Sequence, residues 1–308
     1  MSRALGIDIG GTNIQSVVVN ATGRVVEEIH LPTANHATQL IEQVKSCIDQ
    51  LGAANEAWPV GVASPGLATR DNGIISWMRG RLEVIEGLDW SSALGRPVSV
   101  LNDAHAATMG EAWVGAAAGR RHVVLLTLGT GVGGGVIVDG RLLQGATGRA
   151  GHFGHITVDA SGGLDIVNTP GSLEDAIGNH SLSKRSGGRF SKTHELLAAA
   201  RAGDTHATCI WQRSIDQLAA GITSLINSFD PQVVLLGGGI AQAGEALFGP
   251  LRYAMKRVEW RPTGSAVPIL PAVLGDRAGA IGAARFAVLV HESAPLGQPS
   301  TSFKGVAL

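Results

Sequence analysis

The sequence predicts an α/β protein built from two similar lobes, and three observations lead to that expectation. The chain has 308 residues, more than one hydrophobic core ordinarily serves, so two domains are expected. Two stretches about 120 residues apart follow one plan: apolar strand, glycine turn, apolar strand, turn ending in Gly-Arg. They are LGIDIGGTN…NATGRVVEE and LLTLGTGVGGG…VDGRLLQG. Such self-similarity reads as an internal duplication, the other reading being two unrelated hairpins. Finally, Asp8, Ser64-Pro65-Gly66 and Asn102-Asp103 stand at the carboxyl ends of predicted strands. Ligands bind at those ends in open α/β sheets.

Composition narrows the function class. Hydrophobic content of 44 % with 43 glycines suits a soluble α/β protein rich in tight turns. A net charge of −1 gives no electrostatic case for nucleic acid or an anionic membrane. The longest uncharged apolar run, around 123–138, is glycine-rich and too short to span a bilayer. Met1–Arg3 lead straight into a strand-like segment, without a signal-peptide pattern. Cys47 and Cys209 are the only cysteines, which predicts a reduced, cytoplasmic protein rather than a disulfide scaffold.

The elements follow in order. Ala4–Ile9 is a buried strand, Gly10–Asn13 a turn, Ile14–Val19 and Arg24–His30 two further strands. Leu40, Ile41, Val44, Ile48 and Leu51 have the spacing of one helix face, predicting a helix over 39–51. Val60–Ala63 and Val98–Leu101 are strands, and His105–Gly115 a helix. In the second half, the run to Leu128 is a strand, and Val136–Val138 returns to an Asp139-Gly140 turn. Ile156–Val158 is predicted as a strand and Asp165–Leu173 as a loop with a turn at Thr169-Pro170-Gly171. His180–His194, polar and basic, is expected to be a solvated or mobile loop. Trp211 to Phe229 form a helix stopped by Asp230-Pro231. Val233–Leu236 is a strand entering Gly237-Gly238-Gly239, and Ala278–Leu289 a small-residue helix. The Pro-, Ser- and Gly-rich tail over 291–308 is expected to be flexible.

Five glycines crowd residues 129–135, at a cost in chain entropy that needs a reason. Close approach of backbone N–H groups to phosphate oxygens is one; an ordinary glycine-rich turn is the other. A carboxylate at a strand end, as at Asp103, suits a general base. The same Asp equally suits a cap for the following helix.

These residues in this order resemble the ROK family of repressors, open reading frames and kinases. The resemblance rests on DIGGTN (8–13), ASPG (63–66), NDAHAATMGE (102–111), LGTGVGGG (128–135) and GHFGH (151–155). It continues through GSLE (171–174), LGGGI (236–240) and AGAIGAA (278–284). It implies two ribonuclease-H-like, actin-like ATPase lobes with a cleft between them: residues 1–119, joined by a helix at about 278–290, and residues 120–277. It also implies a homodimer, a sugar substrate, and ATP with Mg2+. By position, Asp8 helps place Mg2+, directly or through water. Gly10, Gly11, Thr12, Asn13, Thr130 and Gly131 surround the phosphates, and Gly237, Gly238 and Gly239 lie along the adenosine. Asp103 takes the proton from a hexose 6-hydroxyl, while Asn102, Gly66, His155 and Glu174 grip the sugar.

Two departures from the family pattern stand out. Most ROK kinases carry zinc on a histidine and three cysteines in a C-x-C-G-x(2)-G-C-x-E segment. Here Asp165, Val167 and Ser172 stand in place of those cysteines, so no zinc is expected and the loop relies on packing and hydrogen bonds. A zinc site of His152, His155 and Asp159 is the lesser alternative, without thiolates. Secondly, His152 occupies the position of a glutamate that contacts sugar hydroxyls. Imidazole offers a donor and an acceptor instead of acceptors alone, which shifts preference at the ring position it faces, unless the side chain swings away. Glucose is therefore the default, with an amino, N-acetyl or otherwise modified sugar as the alternative. ROK repressors carry an added helix-turn-helix domain, and this chain starts on its first strand, which counts against that role. A sugar binder without turnover is the remaining rival.

Overall fold

The computed structural model describes residues 3–53, 57–79 and 82–293. They fall into two units. The first takes residues up to Ala118, Gln144–Ala150 and the described residues from Asp276 on; the second takes Gly119–Leu143 and Gly151–Gly275.

In the first unit, β1 (Arg3–Ile9), β2 (Asn13–Asn20) and β3 (Val25–Pro32) form an antiparallel meander. β4 (Val60–Ser64) and β7 (Val98–Asn102) extend it in parallel, giving the order β3-β2-β1-β4-β7. A small hairpin, β5 (Leu67–Ala68) with β6 (Ile75–Trp77), follows β4. Successive residues of a strand face opposite sides, and β1 uses both. Leu5, Ile7 and Ile9 join Leu40, Val44 and Ile48 of helix α1 (Ala37–Gln50) in one core. Gly6 faces the C-terminal helix Ala278–Ser293, where a Cβ would run into the Ala280 carbonyl. Gly61 of β4 meets the Ala283 carbonyl in the same way. The five-residue helix α2 (Trp90–Leu94) precedes β7 and buries Trp90. Helix α3 (Asp103–Val114) packs on the C-terminal helix, with Gly110 and Gly282 at the crossing.

The second unit repeats the plan. β8 (Val123–Leu128), β9 (Val132–Val138) and β10 (Arg141–Leu142) make an antiparallel meander, with β11 (Val233–Gly237) and β12 (Ile269–Pro271) parallel beyond β8. The order β10-β9-β8-β11-β12 matches the first sheet strand for strand, as the duplicated motif predicts. The helices are α4 (Leu173–Ile177), α5 (Asn179–Arg185), α6 (Thr193–Arg201), α7 (Thr205–Phe229) and α8 (Glu245–Val258). The apolar face of α7, from Trp211 to Ile226, fills the core against β8 and β11. The helix ends as expected, at left-handed Asp230 before Pro231.

Several expectations change. The segment 180–194 is loop only in part: residues 180–185 belong to α5 and 193–194 open α6, while 186–192 between them are turns, mostly exposed as expected. Arg185 acts as an internal strut: its guanidinium donates to Ser181 Oγ, Ser214 Oγ and the Gly178 carbonyl. Burial pushes Arg185 down to about 10, against the pull of Asp175. Asn179 Oδ1 accepts from the Thr193 N–H and hydroxyl, tying the two helices together. Residues 156–158 form no strand; a short 3-10 turn, Phe153–His155, precedes them and Thr157 makes one bridge to Ser172. Gly133, Gly134 and Gly135 lie inside β9 rather than in the turn. A side chain at Gly134 would meet the Phe153 ring and the Gly151 carbonyl, so close packing within the protein accounts for that glycine. Helix α3 begins at Asp103, not His105, because Asn102 caps it. The C-terminal helix runs on through residues 291–293; the remainder of the expected tail, 294–308, lies outside the described residues.

Candidate functional site

In the first unit the strand ends collect carboxylates. Asp8 stands one residue before the end of β1, paired in register with Ala63 of β4 and Gln15 of β2. Asp103 opens α3 directly after β7. Asp276, in the turn before the C-terminal helix, completes the group, and Gly279 leaves room for the Asp8 carboxylate. Desolvation, then the neighbouring charges of Asp103 and Asp276, push Asp8 up to about 8. Burial also raises Asp103, while the Ala104 N–H on Oδ1 at 2.8 Å and the Asn102 side chain pull the other way. Like charges brought together out of water resist ionising, so burial and mutual repulsion favour the protonated form here.

Asn102 divides its amide between two tasks. Oδ1 caps α3 by accepting from the Ala104 and His105 N–H groups, and Nδ2 donates to the Gly66 carbonyl at 3.0 Å. Capping, weighed above as a role for Asp103, therefore falls mainly to Asn102, which leaves the Asp103 Oδ2 free of a helix bond. Gly66 sits at φ +104, with Trp77 and Ile75 where a Cβ would be, so no other residue fits there.

The glycine turns divide by physical reason. The Gly10 N–H closes on the Asn13 carbonyl, and Thr33 braces the turn through Gly10 and Thr12. Above Gly11 there is open space, as there is above Gly129 and Gly239. At these three places no packing contact explains the glycine, and the backbone is open to approach. Gly131 and Gly238 are glycines for a different cause: a Cβ would collide with the Glu174 carboxylate and with Leu128, respectively. The turn at Gly129–Gly131 is held from behind, by Glu174 Oε2 accepting from the Val132 N–H at 2.9 Å. Asn179 N–H donates to the Gly129 carbonyl and His180 N–H to the Thr130 carbonyl. Glu174 thus has a structural duty besides the sugar contact expected of it, with Oε1 left over.

His152 starts the short turn that carries His155 and is half-buried. His155 Nδ1 lies 2.8 Å from Asp165 Oδ2. Burial alone raises the Asp165 carboxyl, but the Thr169 N–H, His155 and the Val167 N–H outweigh it and hold it below its ordinary range. The residues at the cysteine positions do not fit zinc. Asp165 is spent on these bonds, Val167 is an apolar side chain facing solvent, and Ser172 Oγ caps α4 by accepting from Asp175 N–H. Among the described residues, no three of His, Cys, Asp and Glu stand close enough to hold a metal ion directly. Mg2+ differs in preferring hard oxygens and keeping several waters, and carboxylate oxygens are the donors that Asp8, Asp103 and Asp276 offer.

Sequence reasoning missed Asp276, Thr33, Asp175 and His180. His180 presents Nδ1 to the Thr130 carbonyl and Nε2 to Asp175 Oδ1, fixing the turn through contacts with no local signature. In the second unit a cavity of about 500 Å³ lies among α4, α5 and α7, lined by Lys184, Arg185, His206 and Arg213 among others. Of the residues weighed for zinc, Asp159 of the alternative set and Ser172 line it, and none of the expected nucleotide, sugar or catalytic residues does.

Known proteins give the same picture. A glucokinase of Thermotoga maritima is 33 % identical over 278 residues, covering 81 % of this chain and 86 % of that protein. An N-acetylmannosamine kinase of Vibrio cholerae is 31 % identical over 279 residues, covering 88 % and 94 %. The crystal structure of a ROK family glucokinase from Streptomyces griseus, in complex with glucose and AMPPNP, matches with a TM-score of 0.75 at 30 % identity. It covers 94 % of this chain and 100 % of that one. The paired five-stranded sheets are those of the actin- and hexokinase-like ATPase fold. No helix among the described residues is long and apolar enough to cross a membrane. The ROK family profile matches residues 4–290, and with nearly every described residue inside that match, the chain belongs to the ROK family.

Proposed function

We propose that the protein is an ATP-dependent hexose kinase that phosphorylates the 6-hydroxyl, with Asp103 as general base. The observation that carries this reading is the Asp103 carboxyl, raised by burial, beside Asp8 at the strand ends of the first sheet. A base with a raised pKa lies nearer working pH and takes a proton more effectively. Asp103 accepts the hydroxyl proton, the oxygen forms a bond to the γ-phosphorus, and the bond to the bridging oxygen breaks, releasing ADP. Phosphoryl transfer asks the protein chiefly for positioning and charge stabilisation. Gly10, Gly11, Thr12, Asn13, Thr130 and Gly131 supply backbone and hydroxyl donors to the phosphates, and Gly237, Gly238 and Gly239 accommodate the adenosine. Asp8 and Asp276 would hold hydrated Mg2+, which would supply neutralisation of phosphate charge. Asn102, Gly66, His152, His155 and Glu174 bind the sugar. The protein acts as a cytoplasmic homodimer without zinc. The glucokinase relatives and the glucose–AMPPNP complex support substrate and donor. His152 and the N-acetylmannosamine kinase relative favour a second reading of the same chemistry, on an N-acetyl or amino sugar.

The test is Asp103→Asn, assayed by coupled ADP release over glucose, mannose, glucosamine and N-acetyl hexoses. Loss of general-base catalysis is expected to lower turnover by about 10²–10⁴-fold with sugar affinity retained. Turnover near wild type removes Asp103 from the role, and a wild-type chain inactive on the whole panel overturns the kinase reading.

A further inference from the structure

We propose that Asp165 is a positioning residue for sugar binding: its carboxylate fixes the His155 ring with the proton on Nδ1, leaving Nε2 bare to accept from a sugar hydroxyl. The inference rests on the kinase reading and deepens it. The Asp165 side chain is fully buried, whereas that of His155 is 26 % exposed. Asp165 Oδ1 accepts from the Val167 N–H at 2.9 Å and the Thr169 N–H at 2.8 Å, so the carboxylate cannot turn away. Oδ2 is thereby aimed at His155 Nδ1 at 2.8 Å. Since an ionised carboxylate only accepts, Nδ1 must carry the proton, and in the neutral ring Nε2 is then an acceptor. Among the described residues no protein group bonds that nitrogen. A buried carboxylate that sets ring orientation and tautomer is the device by which outer partners govern histidine ligands. At a position where a thiolate would hold the loop through a metal, this chain holds loop and histidine with one side chain.

The Asp165→Asn variant tests it. The amide oxygen keeps the two loop N–H bonds, so the NH₂ group faces His155 Nδ1 and the proton moves to Nε2. Nitrogen-15 NMR of the neutral histidines is expected to show the Nδ1–H tautomer for His155 in the wild type and the Nε2–H tautomer in the variant. Sugar KM is expected to rise about tenfold or more, the cost of losing a hydrogen bond and facing a donor instead, with nucleotide KM unchanged. A loop-building role alone would raise KM whether or not His155 is present. The same substitution is therefore made in a His155→Ala background, where sugar KM is expected to change less than twofold. An unchanged tautomer, an unchanged sugar KM, or an equal penalty in both backgrounds overturns the proposal. If the variant fails to fold, the wild-type tautomer decides, an Nε2–H ring overturning it. A wild type inactive on every hexose sinks the kinase reading, while the tautomer is read without any turnover.

Discussion

Asp8 is a residue at which stability and chemistry pull apart. Its carboxyl has an ordinary value of 3.8 and is pushed up to about 8 by desolvation and by Asp103 and Asp276. The folded state therefore prefers the protonated form. Its contribution is fully present below pH 3.8 and is lost as pH rises toward about 8. The loss proceeds at no more than about 1.4 kcal/mol per pH unit for a single group. Buried His105, lowered by desolvation, works with the opposite sign around neutrality, so the comparison with Asp8→Asn isolates the carboxylate. In metal-free protein, urea midpoints are expected to fall between pH 5 and 8 more steeply for wild type than for Asp8→Asn, with the variant the more stable at pH 8. Added Mg2+ is expected to recover stability at pH 8 in wild type alone. Parallel pH curves for the two proteins would show that Asp8 is not held in a charge-averse site. The sequence makes Asp8 and Asp103 visible through their place at strand ends. It does not make visible Asp276, which reaches them from a turn nearly the whole chain away.

The helix Ala278–Ser293 shows what a pattern of small residues is for. AGAIGAA reads in sequence as a helix able to pack closely, and it does. What the sequence leaves out is the partner of each glycine, because Gly6, Gly61 and Gly110 meet the helix carbonyls Ala280, Ala283 and Ala278 through tertiary contacts. Gly61→Ala would drive a methyl group into backbone that cannot swing aside. Overpacking of this kind costs about 1–3 kcal/mol, expected as a lower urea midpoint with an unchanged slope. A neutral Gly61→Ala would mean the helix sits further from β4 than described. The same limit explains α5. Helices α1 and α7 announce themselves by apolar periodicity, but α5 is held by Arg185 and Asn179, whose partners Ser214 and Thr193 lie well along the chain.

At the scale of the whole chain, the repeat was readable because each half must build the same sheet from its own glycine hairpin. The assignment of segments to units was less so. Gln144–Ala150 joins the first unit through the Ala150 carbonyl on His105 Nε2, at 2.6 Å, and Gly148 is pressed on the Ala68 carbonyl. Neither contact has a local signal. The consequence is an asymmetry in how the units depend on the chain. All five strands of the second sheet and its whole core lie between residues 119 and 275. The first unit keeps the core on the α1 side within residues 1–118, but the other face of β1 and β4 is covered by the distant C-terminal helix. Expressed as separate fragments, residues 119–275 are expected to unfold cooperatively in urea with native-like near-ultraviolet circular dichroism. Residues 1–118 are expected to lack a cooperative transition, because the uncovered sheet face has lost its apolar burial. A cooperative 1–118 fragment beside a disordered 119–275 would reverse the dependence and show the C-terminal helix to be dispensable to the first unit.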